Sequence, residues 1–134
     1  MKQLLLLILL IASGAVYSQG WTPMGARSMA MANASSTLND VWGYHHNPGA
    51  LGDVEEFTAG LSYENRFLLK ELQSQGFAVA VPMKVGVISV GGQLFGHQQY
   101  RTYKAGLGYS MKLSDKFFAG VQLSLIHISE PTRL

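Results

Sequence analysis

His45 and His46 are neighbours, and adjacent imidazoles on an irregular segment can ligate a metal ion. A metal site needs further donors at ligand spacing. The nearest acids, Asp40 and Asp53, do not supply it, so the pair reads as polar residues bonded to backbone or water. No metal, cofactor or catalytic residue is expected. Asp40, His97 and several serines contain the side-chain types of a hydrolase triad. No nucleophile-elbow sequence accompanies them, and the chain reads as a non-enzyme. Arg27 is the most demanding charge, because it stands among small apolar residues. If enclosed it needs a carboxylate, since a buried unpaired charge is costly. Glu64, on the inward face, is its candidate partner, and Lys104, also inward, is the alternative lumen charge partner.

The elements that must hold these residues follow from composition and period. Ten Lys and Arg against eight Asp and Glu give a net charge of +2, too small and too scattered for a nucleic-acid partner. Only 13% of residues are charged, with 48% hydrophobic and fifteen glycines. There are no cysteines, which excludes disulfides, thiolate metal sites and a lipoprotein anchor.

Residues 1–18 have the parts of a secretory signal peptide: Lys2, the apolar run Leu4–Ala12, and Val16-Tyr17-Ser18 before a cleavage point at Gln19. The apolar run falls short of the ~20 residues a spanning helix needs. Residues 19–56 form a segment rich in small residues, slightly helical in pattern and closed by the turn signal Asn47-Pro48-Gly49. Glu55-Glu56 ends it, at a solvated rim.

Residues 57–122 alternate with period two and predict about five strands. Phe57, Ala59, Leu61 and Tyr63 share one face of the first. A longer, partly helical connection spans Arg66–Gln75. The second strand, Gly76–Val81, ends at a reversal over Pro82-Met83-Lys84. The third runs over about Val85–Phe95, and a polar loop covers Gly96–Arg101. The fourth sets Tyr103, Ala105, Leu107, Tyr109 and Met111 against Lys104, Gly106, Gly108 and Ser110. After a turn at Leu113–Lys116, the fifth begins at Phe117.

Strand length, aromatics near strand ends, and an export signal together predict the start of an antiparallel transmembrane β-barrel; a periplasmic β-domain is the alternative. In lipid the sheet must close, and five strands are too few, so an intact barrel is expected to be longer than this chain. The opposite face carries Gly60, Ser62, Ala78, Ala80, Gly91, Gly106, Gly108 and Gly120. Small residues there suit either ordinary barrel composition or a wall cleared for a plug.

Two stretches carry resemblances. Gly25-Ala26-Arg27-Ser28-Met29-Ala30-Met31-Ala32-Asn33-Ala34, followed by Asn47-Pro48-Gly49-Ala50-Leu51, resembles the N-terminal signature of FadL-like outer-membrane proteins, especially the PorV/PorQ-type branch. There, Gly-Ala-Arg-Ala-Met-Gly-Met-Gly-Gly-Ala leads through an acidic helical turn to Asn-Pro-Ala-Gly-Leu. Asn39-Asp40 takes the place of that turn and could cap a short helix through Val41–Tyr44. Ala30, Ala32 and Asn33 replace glycines, and Gly49-Ala50 transposes the usual pair.

The resemblance implies a barrel of about fourteen strands with an N-terminal segment in its lumen. Its motif residues would be Gly25, Ala26, Arg27, Met29, Met31, Asn47, Pro48, Gly49 and Leu51. It implies outer-membrane lipid as surroundings and either a small hydrophobic ligand to be transported, or secretion-system and cargo proteins of type IX secretion. A structural or adhesive surface barrel is the alternative. The second resemblance is at Leu123–Arg133, which is similar to the translation of a transposase adapter used in sequencing libraries. Residues 123–134 are accordingly expected to be an artefact, with authentic sequence ending near Gln122.

Overall fold

A computed structural model describes residues 22–97 and 100–129. The expected signal peptide with its cleavage point, and Glu130–Arg133 of the adapter-like stretch, lie outside the described residues.

The fold is all-β with a short, partly helical N-terminal segment. That segment contains α1 (Ala26–Ala30), α2 (Gly43–His46) and the 3₁₀ turn η1 (Pro48–Asp53). Five strands follow: β1 (Thr58–Asn65), β2 (Gln73–Met83), β3 (Gly86–His97), β4 (Tyr100–Ser114) and β5 (Phe117–Ser129). They pair antiparallel in chain order, β1-β2-β3-β4-β5, leaving β1 and β5 as edges. Strands β2 to β5 have 11, 12, 15 and 13 residues, enough to cross a bilayer at a tilt.

The period-two pattern produces two unlike faces, because successive side chains point to opposite sides of a strand. On one face Gly60, Ala78, Ala80, Ser89, Gly91, Gly106, Ser110 and Gly120 lie beneath residues 22–54; this is the covered face. On the other, Leu61, Phe77, Val90, Leu107 and Val121 remain exposed; this is the bare face. The core lies between segment and sheet, where Val41, Tyr44 and Leu51 pack on Ala78, Ala80 and Val87. Burying a side chain such as Val41 or Leu51 contributes about 2 kcal/mol.

Several boundaries differ from expectation. Gln73, Ser74 and Gln75 belong to β2, paired with Asn65, Glu64 and Tyr63, so the connection is shorter than Arg66–Gln75. Pro82 is inside β2 opposite Val87, and the reversal falls at Lys84–Val85. Proline is tolerated there because β1 starts at Thr58 opposite Ala80, so Pro82 lies past the last β1 pair. The polar loop contracts as well. Gly96 pairs with Arg101 and His97 with Tyr100, so most of it is strand. Gly96 accommodates this with φ +95°, a backbone angle that other residues rarely adopt. The last turn narrows to Asp115–Lys116, with a register irregularity between Lys112 and Ser114.

The adapter-like stretch continues β5 through Ser129, pairing Leu123 with Leu107 and Ile128 with Thr102. Its alternation fails, however. Ile126 and Ile128 put exposed apolar side chains in step with Gly120 and Gln122 of the covered face, while His127 falls in step with the bare-face residues and lies near the ring of Tyr103.

Candidate functional site

The site is the seam between residues 22–54 and the covered face. It is built from large side chains on the segment and their absence on the strands. Tyr44, on α2, is fully buried. Its ring occupies the space that a side chain at Gly91 would fill, and its hydroxyl lies 2.9 Å from where a Cβ on Gly106 would stand. The hydroxyl donates to the Gly91 carbonyl at 3.2 Å and also meets the Gln122 side chain. Tyr44 therefore ties β3, β4 and β5 together. Burial pushes its pKa upward, so the phenol stays protonated.

Other notches repeat the pattern. Trp42 lies over Gly60, with its ring 2.9 Å from a would-be Cβ. Met24 lies over Gly76, and the Pro48-Gly49 backbone lies over Gly120. Gly25 turns at φ +94°, and a Cβ there would meet the Trp42 ring at 2.7 Å, so the start of α1 closes onto the start of α2. Polar contacts complete the seam. Ser110 Oγ donates to the Pro48 carbonyl at 2.5 Å. The buried Gln93 amide donates to Thr22 Oγ1 and to Ser74 Oγ. Lys112 reaches Asp53 at 3.3 Å.

Within the segment, Ser28 and Ser35 hydroxyls bond at 2.7 Å, both fully enclosed. Asn47 Nδ2 donates to the Ser36 carbonyl at 2.7 Å, and its own carbonyl receives the Ala50 N–H. Pro48 opens η1, where a missing N–H costs nothing. Asp40 Oδ1 accepts the Trp42 N–H at 3.0 Å, holding the turn into α2.

Comparison with family models, curated proteins and solved structures finds no match.

The charges are arranged differently from expectation. Arg27 pairs with Asp40 at 3.5 Å and is 67% exposed, so it is not an enclosed cation awaiting Glu64. Glu64 instead bonds Arg66, two residues on, at 2.5 Å. The cause is the loop between α1 and α2, whose ends meet and bring Asp40 beside Arg27. Lys104 faces the covered side among Thr22, Gln93, Phe95 and Tyr100, around a cavity of about 200 Å³. Of the motif residues, Leu51 is fully buried and Pro48-Gly49 touches β5, while Ala26, Met29 and Met31 are exposed.

His45 is buried, with Nε2 3.3 Å from the Phe77 carbonyl and its ring stacked on Trp42. Burial lowers its pKa to about 4, outweighing that carbonyl, and His46 adds a further lowering. Burial also lowers His46, against the pull of Asp40. Both rings are neutral near pH 7, so His45 serves as a packed hydrogen-bonding group. Among the described residues no three His, Cys, Asp or Glu side chains gather as a metal site would require. Asp40 and His97 lie at opposite ends of the sheet, the first in a groove with Thr58, the second beside Gln73.

Tyr44, Trp42 and Met24 fill the seam, and nothing in the sequence singles them out for it. The signal for them was one-sided: the glycines announced vacant space on the wall without naming its occupants.

Proposed function

We propose that the chain is the N-terminal part of an outer-membrane β-barrel, exported by a cleaved signal peptide, whose lumen is plugged by residues 22–54 and which passes small hydrophobic molecules in the manner of FadL-like proteins. The observation that carries this reading is the inversion of the sheet. Its apolar side chains point away from the protein's own core, and its small and polar ones point toward it. A water-soluble sheet buries its apolar face; a sheet in lipid does the reverse, with a polar interior. Tyr63 and Tyr103 near one end of the bare face, and Phe117 at the other, are placed as interfacial girdles would be. The edges β1 and β5 fit as well, since a sheet in lipid must find partners for both.

A second reading has its own support. The seam is closely fitted at Gly60, Gly76, Gly91, Gly106 and Gly120, which suits a permanently shut, structural or adhesive barrel. Flux measurement separates the two. Protein purified from outer membranes and reconstituted in liposomes is expected to speed equilibration of a small hydrophobic dye. Folded protein giving no flux would favour the shut barrel or a secretion role of PorV type. Recovery in the soluble periplasmic fraction would overturn every membrane reading.

A further inference from the structure

The connection between β1 and β2, at the end of the sheet opposite the Lys84–Val85 and Asp115–Lys116 turns, displays Phe67 and Leu68 at 85% and 91% exposure. Two features separate this from incidental exposure. Both residues hold left-handed backbone angles, φ +57° and +58°, which bulky residues rarely adopt. The loop is nevertheless closed by its own bonds: Leu69 N to Arg66 O, Leu72 N to Leu69 O, and Arg66 N to Leu72 O. The Arg66–Glu64 ion pair fixes its base at 2.5 Å. The fold thus presents a defined apolar tip.

Its surroundings indicate what covers that tip. The loop follows directly from the bare face of β1, where Leu61 and Tyr63 are also exposed. Tyr63 and Tyr103 mark the girdle at this end, and the tip lies four to five residues beyond Tyr63 in sequence. Arg66, paired with Glu64, and Lys70, followed by Glu71, flank the apolar run, and long cationic side chains can lie along an apolar surface while their heads stay at the polar boundary. Apolar tip, tyrosine girdle and flanking cations are the components of an interfacial membrane anchor.

We propose that Phe67 and Leu68 insert into the lipid leaflet at the headgroup–acyl boundary, fixing the depth of the sheet in the bilayer. This rests on the reading of the bare face as lipid-facing. The protein has no cysteine, so single cysteines can be labelled cleanly. Leu68→Cys, Phe67→Cys, Leu107→Cys and Asp115→Cys would each carry an environment-sensitive dye in protein reconstituted in phosphatidylcholine–phosphatidylglycerol vesicles. Dye at positions 68 and 67 is expected to be quenched by lipid-borne bromine and to lose quenching by aqueous iodide, matching position 107 and opposing position 115. Lipid quenching at 107 with iodide quenching at both 67 and 68 would overturn the anchor while leaving the bilayer reading intact. Iodide quenching at 107 as well would overturn both.

Discussion

The two faces of the sheet share one backbone and one set of strands, yet solve opposite problems. The covered face gains stability from what it lacks. Its glycines let the rings of Tyr44 and Trp42 approach the strands directly, and burial of those rings holds the N-terminal segment. The bare face is covered by no other segment among the described residues; Leu107, for example, is 59% exposed. The comparison shows that alternation alone does not say which face is the interior. The size of the residues on each face, and the presence of a segment able to fill the space, decide it.

The comparison breaks most severely at Tyr44. Tyr44→Ala empties the site where three strands meet and is expected to cost about 4 kcal/mol of segment docking. Protease protection of residues 22–54 should fall while the strand signal in circular dichroism persists. If protection is retained, the covered face is not held by this ring.

Acid is the next largest perturbation. His45 has a folded pKa of about 4 against an ordinary 6.5, so protons favour the undocked segment. Docking stability is therefore complete above pH 6.5 and declines as pH falls toward about 4, by on the order of 3 kcal/mol in all. The urea midpoint for exposing the segment should follow that slope, and His45→Gln should flatten it. Gly91→Ala follows, at about 2 kcal/mol, because the added methyl enters the volume of the Tyr44 ring. Pairing it with Tyr44→Ala should recover most of the loss, whereas simple additivity would separate the notch from the ring. The smallest effect belongs to Arg27→Ala. An ion pair this exposed contributes about 0.5 kcal/mol, so thermal melting should barely change.

Much of this contrast was legible in the residues. Period two located all five strands, and the small residues from Gly60 to Gly120 marked the vacant wall. The occupants were not legible, because Tyr44 meets Gly91 and Gly106 through registers set far along the chain. The Arg27 partner was missed for a related reason. Glu64 matches Arg27 only by the face it shares in the alternating pattern, whereas Asp40 arrives through a loop whose ends touch. Pro82 misled locally, since its cost depends on where β1 starts and not on Pro82 itself.

The contact of Pro48-Gly49 with Ser110 and Gly120 has a consequence in time. Ser110 is 62 residues from Pro48 in the chain. The hairpins β2-β3, β3-β4 and β4-β5 close over short connections and can form early; the segment cannot seat until β4 and β5 exist to receive it. A segment synthesised before every strand is thus among the last to reach its place, and it travels meanwhile with Trp42, Tyr44 and Leu51 uncovered. Apolar side chains left uncovered in an unfinished chain favour aggregation until the sheet is complete.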